Sequence, residues 1–108
     1  MKMGLLDFLL GPDINRGVED WRNAPGAVLI DVRNVNEYRG GHIPGSINIP
    51  LDRIDSVAKK VKDRNTEIFV YCLSGSRSGQ AVRRMKQLGY ANVVNISGIN
   101  RYKGKIEV

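Results

Sequence analysis

The stretch IFVYCLSGSRSGQ, residues 68–80, decides the fold because it joins a segment of strand length to one of helix length. Residues 68–71 are uninterrupted apolar side chains, as in a strand that is covered on both faces. From Ser76 onward the apolar residues fall at helical spacing: Ala81, Val82, Met85 and Leu88. A strand followed directly by an amphipathic helix is typical of a parallel sheet packed between helices.

The rest of the chain repeats this alternation of strand-length and helix-length segments. The pattern predicts an α/β fold with a central, mainly parallel sheet of about five strands and helices on both faces. Gly89 is the predicted stop of the helix that begins at Ser76. The predicted strands are 27–32, 47–49, 68–71 and 92–96; the other predicted helical segments are 13–23, 52–61 and a turn at 99–103; a long loop is expected over 33–45.

Length and composition indicate one domain. The chain has 108 residues, 42% of them hydrophobic and 26% charged, which suits a single globular unit. We expect a domain over residues 13–108, preceded by an N-terminal arm or short helix over residues 1–12. Asp7 interrupts the apolar residues of that arm, so we expect neither a targeting segment nor a membrane partner, and a cytoplasmic protein.

The positive charge is concentrated in the second half of the chain. Residues 1–55 carry 6 basic and 8 acidic side chains, whereas residues 56–108 carry 11 basic and 3 acidic ones. The second half also contains Cys72, so its field would draw small anions toward that residue. We expect no nucleic-acid partner, because few aromatic residues lie among the basic ones and no groove-binding motif is present. The oligomeric state is left open.

Cys72 is the only cysteine, and it lies where the predicted strand meets the predicted helix. A single cysteine excludes an internal disulfide and an internal resolving thiol. At such a junction Gly75 permits a tight bend, and the first amides of the helix converge on an anion. Such a site lowers a thiol pKa, and Arg77 adds a planar cation suited to an oxyanion. The alternative is a buried cysteine that only packs.

Three segments resemble a single-domain rhodanese, a sulfurtransferase. The first is VLIDVR (28–33), followed by Glu37-Tyr38 and GHIPGSINIP (41–50). The second is CLSGSR (72–77), similar to the family's active loop Cys-x-x-Gly-x-Arg. The third is QLGYANV (87–93). The resemblance spans about residues 13–103, with the segments in order and at sensible spacing.

The resemblance implies a persulfide mechanism in which Cys72 takes a sulfane sulfur from a small anionic donor and passes it to a thiol or protein acceptor. No cofactor or metal is implied. In this interpretation Arg77 holds the sulfonate end of the donor, Asp31, Arg33 and Glu37 brace the loop, and His42 makes local structural hydrogen bonds. The persulfide cradle would consist of Leu73, Ser74, Gly75, Ser76, Arg77 and Ser78.

Other functions remain open beside this one. A phosphatase is disfavoured because related enzymes use Cys-x5-Arg, whereas four residues separate Cys72 from Arg77 here. A relay that carries sulfur for a protein partner would use the same cysteine. A non-enzymatic module is disfavoured because inactive relatives usually lack that cysteine. Ser97-Gly98 and Tyr102 replace the Gly-Gly and tryptophan common in the family, so the rim of the pocket is expected to differ.

Overall fold

The structure, a computed structural model, describes residues 11–108. These residues form one four-stranded parallel sheet in the order β2-β1-β3-β4. Except for Gly11 and Pro12, the predicted arm over residues 1–12 lies outside the described residues. The elements are, in chain order, α1 (Ile14–Arg22), β1 (Val28–Asp31), α2 (Val35–Gly40), β2 (Ile47–Asn48), a first 3-10 helix (Leu51–Ser56), α3 (Val57–Lys60), β3 (Ile68–Cys72), α4 (Ser76–Gln87), β4 (Val93–Gly98) and a second 3-10 helix (Ile99–Arg101).

Strand β3 is one of two inner strands, and its side chains divide between two hydrophobic cores. All five residues of β3 are buried. Ile68, Val70 and Cys72 face the layer that contains the first 3-10 helix, α3 and α4. Phe69 and Tyr71 face the layer that contains α1. The apolar run at 68–71 therefore has helices on both faces, which confirms the predicted layer arrangement.

The predicted fold needs two corrections. The sheet has four strands among the described residues rather than about five. These four occupy the four apolar segments identified in the sequence, and the only other pairing in residues 11–108 is a single antiparallel bridge between His42 and Glu107. The predicted loop over 33–45 contains α2, whose first turn is closed by reciprocal hydrogen bonds between Asn34 and Glu37.

The helix predicted over 52–61 is also irregular. It consists of the first 3-10 helix and the one-turn helix α3, with non-helical backbone angles at Arg53. Ile54, Val57 and Val61 are nevertheless buried in one core, as their spacing predicted. Within residues 11–108, none of the helices has the length and apolar character that a bilayer crossing requires.

Candidate active site

Cys72 is the last residue of β3 and lies at the carboxyl edge of the parallel sheet. The chain then turns through Leu73 and Ser74, and helix α4 begins at Ser76. Gly75 makes the turn with φ of 107°, a conformation that disfavours side chains. Gly98 on β4 lies against this turn, since a Cβ there would collide with the backbone of Leu73 and Ser74. Glycines at both positions thus allow the loop to fold tightly around the sulfur.

Hydrogen-bond donors converge on the Cys72 sulfur. The backbone N–H of Gly75 donates to Sγ at 3.0 Å, and Ser78 Oγ lies 3.3 Å from Sγ. Burial raises the pKa of Cys72, but hydrogen bonds from the Ser78 side chain and from the amides of Ser78, Gly75 and Ser74 outweigh it and lower the pKa below its ordinary value. The loop therefore favours the thiolate.

The sulfur site is buried but lies directly beneath exposed loop residues. Cys72 is 1% exposed and belongs to a hydrophobic core, as the packing alternative requires. Packing does not, however, require polar donors around Sγ. Leu73, Ser74 and Ser76 are exposed, and Leu73 presents an apolar side chain that is 44% accessible. A reactant that reaches Cys72 would thus approach through a short loop rather than through a helix or the sheet.

Arg77 forms a bidentate ion pair with Glu37 of α2. Its two terminal nitrogens lie 2.7 and 3.0 Å from the two carboxylate oxygens. The pKa of Glu37 is lowered from 4.5 to about 2, mainly by the hydrogen bond from Arg77. Burial acts in the opposite direction, and a hydrogen bond from the Asn34 backbone lowers the pKa further. Two of the N–H groups of Arg77 are on Glu37, and its predicted role in holding the donor's sulfonate stays a prediction. The pair fastens the start of α4 to α2.

This pair predicts a pH-dependent contribution to stability. Since the pKa of Glu37 is lower in the folded chain, its contribution is complete above pH 4.5 and is lost as the pH falls toward 2. The free energy of unfolding of Glu37→Gln, measured in urea, should fall less than that of the wild type as the pH is lowered from about 5 to 2. The control Glu19→Gln removes an exposed carboxylate from α1 and should follow the wild type. Parallel curves for Glu37→Gln and the wild type would contradict the prediction.

Asp31 and Arg33 form a second, more deeply buried ion pair. Asp31 is fully buried and accepts hydrogen bonds from the Arg33 amide at 2.8 Å and from its guanidinium at 2.7 Å. Burial lowers the pKa of Arg33, but hydrogen bonding and attraction to Asp31 outweigh it, so that the pKa is raised. Arg33 also donates to the carbonyl of Gly41. Asp31 pairs with Tyr71 in the sheet, so this ion pair adjoins the strand that carries Cys72.

His42 lies among local partners. Its ring stacks on Tyr38 at 3.8 Å between centroids, and Nδ1 lies 2.9 Å from the Tyr38 carbonyl oxygen. Its backbone forms the bridge with Glu107. These contacts give it a position in the turn before β2, and no contact joins it to Cys72.

Asn95 and Ser97 of β4 lie beside the cysteine loop; the sequence analysis placed Ser97 only at the expected rim of the pocket and gave Asn95 no role. Asn95 Oδ1 accepts a hydrogen bond from Ser78 Oγ at 2.7 Å. Ser97 has φ of 85°, which explains why a glycine is common there in the resembling family. The signal for Asn95 was a lone amide within the apolar strand VVNI (93–96). Among residues 11–108, no cluster of three or more potential metal ligands is present.

Comparisons with known proteins identify relatives of this chain in sequence and in structure. Residues 15–103 match the family model described as Rhodanese-like domain. The putative sulfur carrier protein YrkF of Bacillus subtilis is 40% identical over 73% of this chain and 43% of its own length, so the chain spans less than half of that relative. Thiosulfate sulfurtransferase PspE of Escherichia coli is 41% identical over 65% of this chain and 68% of its own.

A solved structure shows the same fold. The structure described as a rhodanese with anions from E. coli superposes with a TM-score of 0.70 at 35% identity, covering 75% of this chain and 96% of that one. The family match and the structural match therefore agree on the fold.

Proposed function

The chain belongs to the rhodanese-like domain family, and from that premise we propose that it transfers sulfane sulfur through a persulfide on Cys72. The donor is a small anion such as thiosulfate, and the acceptor is a thiol or a protein in the cell and cyanide in an assay. The cytoplasm, where thiol acceptors are kept reduced, is the proposed compartment. PspE, named a thiosulfate sulfurtransferase, supports this donor class.

The proposed reaction has two displacement steps. The Cys72 thiolate attacks the outer sulfur of thiosulfate, a new S–S bond forms, and the bond to the sulfonate sulfur breaks so that sulfite leaves with the electron pair. An acceptor then attacks the outer sulfur of the persulfide, and the thiolate is regenerated. With cyanide the product is thiocyanate. Neither step needs a general acid, because thiolate and sulfite are both stable anions.

One observation carries the proposal: hydrogen-bond donors surround a sulfur that is otherwise packed in a core. The Gly75 amide and the Ser78 hydroxyl lie within 3.3 Å of Sγ and would stabilise negative charge on that atom in the thiolate. The chain has no second cysteine that could resolve a persulfide. The sulfur taken up would consequently remain until an outside acceptor removes it.

Mass spectrometry of the intact chain tests the proposal. After incubation with thiosulfate and removal of excess reagent, the intact wild-type chain should gain the mass of one sulfur atom. After proteolytic digestion, that added mass should lie on the peptide that contains Cys72. Cyanide should then remove that mass and release an equal amount of thiocyanate. A chain that gains no sulfur from thiosulfate, although its thiol can be alkylated, would contradict the thiosulfate assignment.

A sulfur relay is the second candidate, and the exposed Leu73 favours it. This apolar side chain follows Cys72 directly and is 44% accessible, which suits contact with a protein surface. YrkF, named a putative sulfur carrier, matches over the same domain. Persulfide formation from inorganic polysulfide but not from thiosulfate would favour the relay. Formation from both with rapid turnover on cyanide would favour the enzyme.

A further inference from the structure

The side chain of Asn95 makes three hydrogen bonds, two of which connect β4 to the active loop. Its Nδ2 donates to the carbonyl of Gly75 at 3.1 Å. Its Oδ1 accepts from the amide of Ser97 at 2.9 Å and from Ser78 Oγ at 2.7 Å. The Ser97 amide can only donate, so the oxygen of the Asn95 amide group must face it. This contact fixes the orientation of the whole side chain.

Ser78 has one hydroxyl proton and three neighbouring acceptors. Its Oγ lies 2.7 Å from Asn95 Oδ1, 3.1 Å from the Gly75 carbonyl and 3.3 Å from Cys72 Sγ. A protonated thiol can donate to Ser78 Oγ, which then donates to Asn95. A thiolate has no proton, so the Ser78 hydroxyl can donate to the sulfur instead.

Neither of the other acceptors is left without a donor when the hydroxyl turns to the sulfur. Asn95 Oδ1 keeps the Ser97 amide. The Gly75 carbonyl keeps Asn95 Nδ2 and also accepts from the amide of Gly79 at 3.0 Å. A buried acceptor that lost its only donor would oppose the turn, because an unsatisfied buried polar group is costly. The arrangement around Asn95 removes that cost.

We propose that Asn95 is a positioning residue: it holds the Ser78 hydroxyl beside Cys72 Sγ and accepts that hydroxyl's proton only while the sulfur is protonated. Asn95 thereby lets one hydroxyl serve both protonation states of the sulfur. The role rests on the proposed function only in treating Cys72 as the reactive group. It concerns how the thiolate is stabilised and is independent of which sulfur donor is used.

Charged groups near the sulfur come from other elements than β4. Arg77 of α4 lies close enough to interact with the Cys72 charge and is paired with Glu37 of α2. Asp31, the last residue of β1, pairs with Arg33. On the β4 side, Asn95 and Ser97 are neutral, and Arg101 of the second 3-10 helix donates to Ser97 Oγ at 3.1 Å. The variants below, apart from Asn95→Asp, change no charge, so their differences from the wild type report on hydrogen bonding to the sulfur.

The pH dependence of Cys72 alkylation by iodoacetamide tests the proposal. The midpoint of the profile reports the thiol pKa, and it does not depend on how easily the reagent reaches the buried sulfur. Ser78→Ala should raise the midpoint by about one pH unit, since one hydrogen bond to a charged group is lost. Asn95→Ala removes the acceptor that competes with the sulfur for the Ser78 proton and that stabilises only the protonated form, so it should lower the midpoint, by about half a unit to one unit. In the double variant the Asn95 change should alter the midpoint of Ser78→Ala by less than about 0.3 units, because the hydroxyl through which Asn95 acts is absent.

Two further variants complete the experiment. Asn95→Asp keeps the shape of the side chain but offers a carboxylate, which retains the Ser78 proton more strongly and repels the thiolate, so the midpoint should rise above that of the wild type, opposite to the shift in Asn95→Ala. The matched control is Asn92→Ala. Asn92 directly precedes β4, and its Nδ2 donates to the Asn65 carbonyl, so the midpoint of this variant should equal that of the wild type. If Asn95→Ala does not fold, as judged by circular dichroism, Asn95→Asp is compared with and without the Ser78→Ala change, because only the part of its shift that requires the Ser78 hydroxyl reports on the proposed contact.

An unchanged or raised midpoint in Asn95→Ala would overturn the proposal, as would, if that variant does not fold, an Asn95→Asp shift that is the same with and without the Ser78 hydroxyl. So would fully additive shifts from Ser78→Ala and Asn95→Ala, because Asn95 would then act independently of the hydroxyl. Failure of the proposed function is a separate result. A wild type that forms no persulfide but shows the non-additive shifts would refute sulfur transfer and support the role of Asn95.

Discussion

Replacing Cys72 with serine is expected to reduce thiocyanate formation from thiosulfate and cyanide to the uncatalysed background, a fall of at least about a thousandfold. The serine hydroxyl does not ionise near neutral pH and cannot carry a sulfane sulfur, so both displacement steps lose their reacting atom. The substitution is nearly isosteric at a position that is 1% exposed, and the Gly75 and Ser78 donors can bond to the new oxygen. The fold should therefore persist.

Two measurements separate chemistry from structure in this variant. Circular dichroism and urea unfolding should show a folded chain with cooperative unfolding. Wild-type protein alkylated at its single cysteine should be as inactive as Cys72→Ser, although its sequence is unchanged. A rate in the folded serine variant equal to that of the wild type would remove Cys72 from the mechanism, whatever the family membership.

The parts of the site that local sequence determines were predictable. The apolar run 68–71 and the helical spacing after Ser76 placed Cys72 at a strand–helix junction, and the structure has it there. Helix α2 was missed because none of its six residues is buried, so it has no apolar periodicity. Its signal was the pair Asn34 and Glu37, spaced as a capping box.

Long-range pairings were beyond the reach of the sequence alone. Arg77 and Glu37 are separated by 40 positions, and either could have faced solvent, a substrate or the other. Asn95 and Ser78 are 17 positions apart on elements whose relative placement depends on the register of β4 against β3. The residue types indicated that these side chains have polar partners but did not identify the partners. Only the packed sheet shows which of them meet.

The largest loss of stability is expected from Asp31→Ala, about 3–5 kcal/mol. Asp31 is fully buried and Arg33 is 6% exposed, so the substitution leaves a guanidinium in the interior without its counter-ion. The Gly41 carbonyl, at 2.7 Å, would be its remaining acceptor among the described side-chain hydrogen bonds of Arg33. Domains of this size are stable by only about 5–15 kcal/mol, so the urea midpoint should fall by a large fraction or the chain should unfold.

Asp55→Ala is the matched control because Asp55 forms the same bidentate contact with Arg84, at 2.7 and 2.8 Å, on the surface. Water can solvate Arg84 once its partner is gone, so the urea midpoint should barely move. The double variant Asp31→Ala with Arg33→Met should recover part of the loss, since it removes the unpaired charge and keeps an unbranched apolar side chain. Equal midpoints for Asp31→Ala and Asp55→Ala would show that burial does not make the inner pair costly to break. Recovery in the double variant, in contrast, would assign the loss to the stranded charge beside β3 rather than to missing volume.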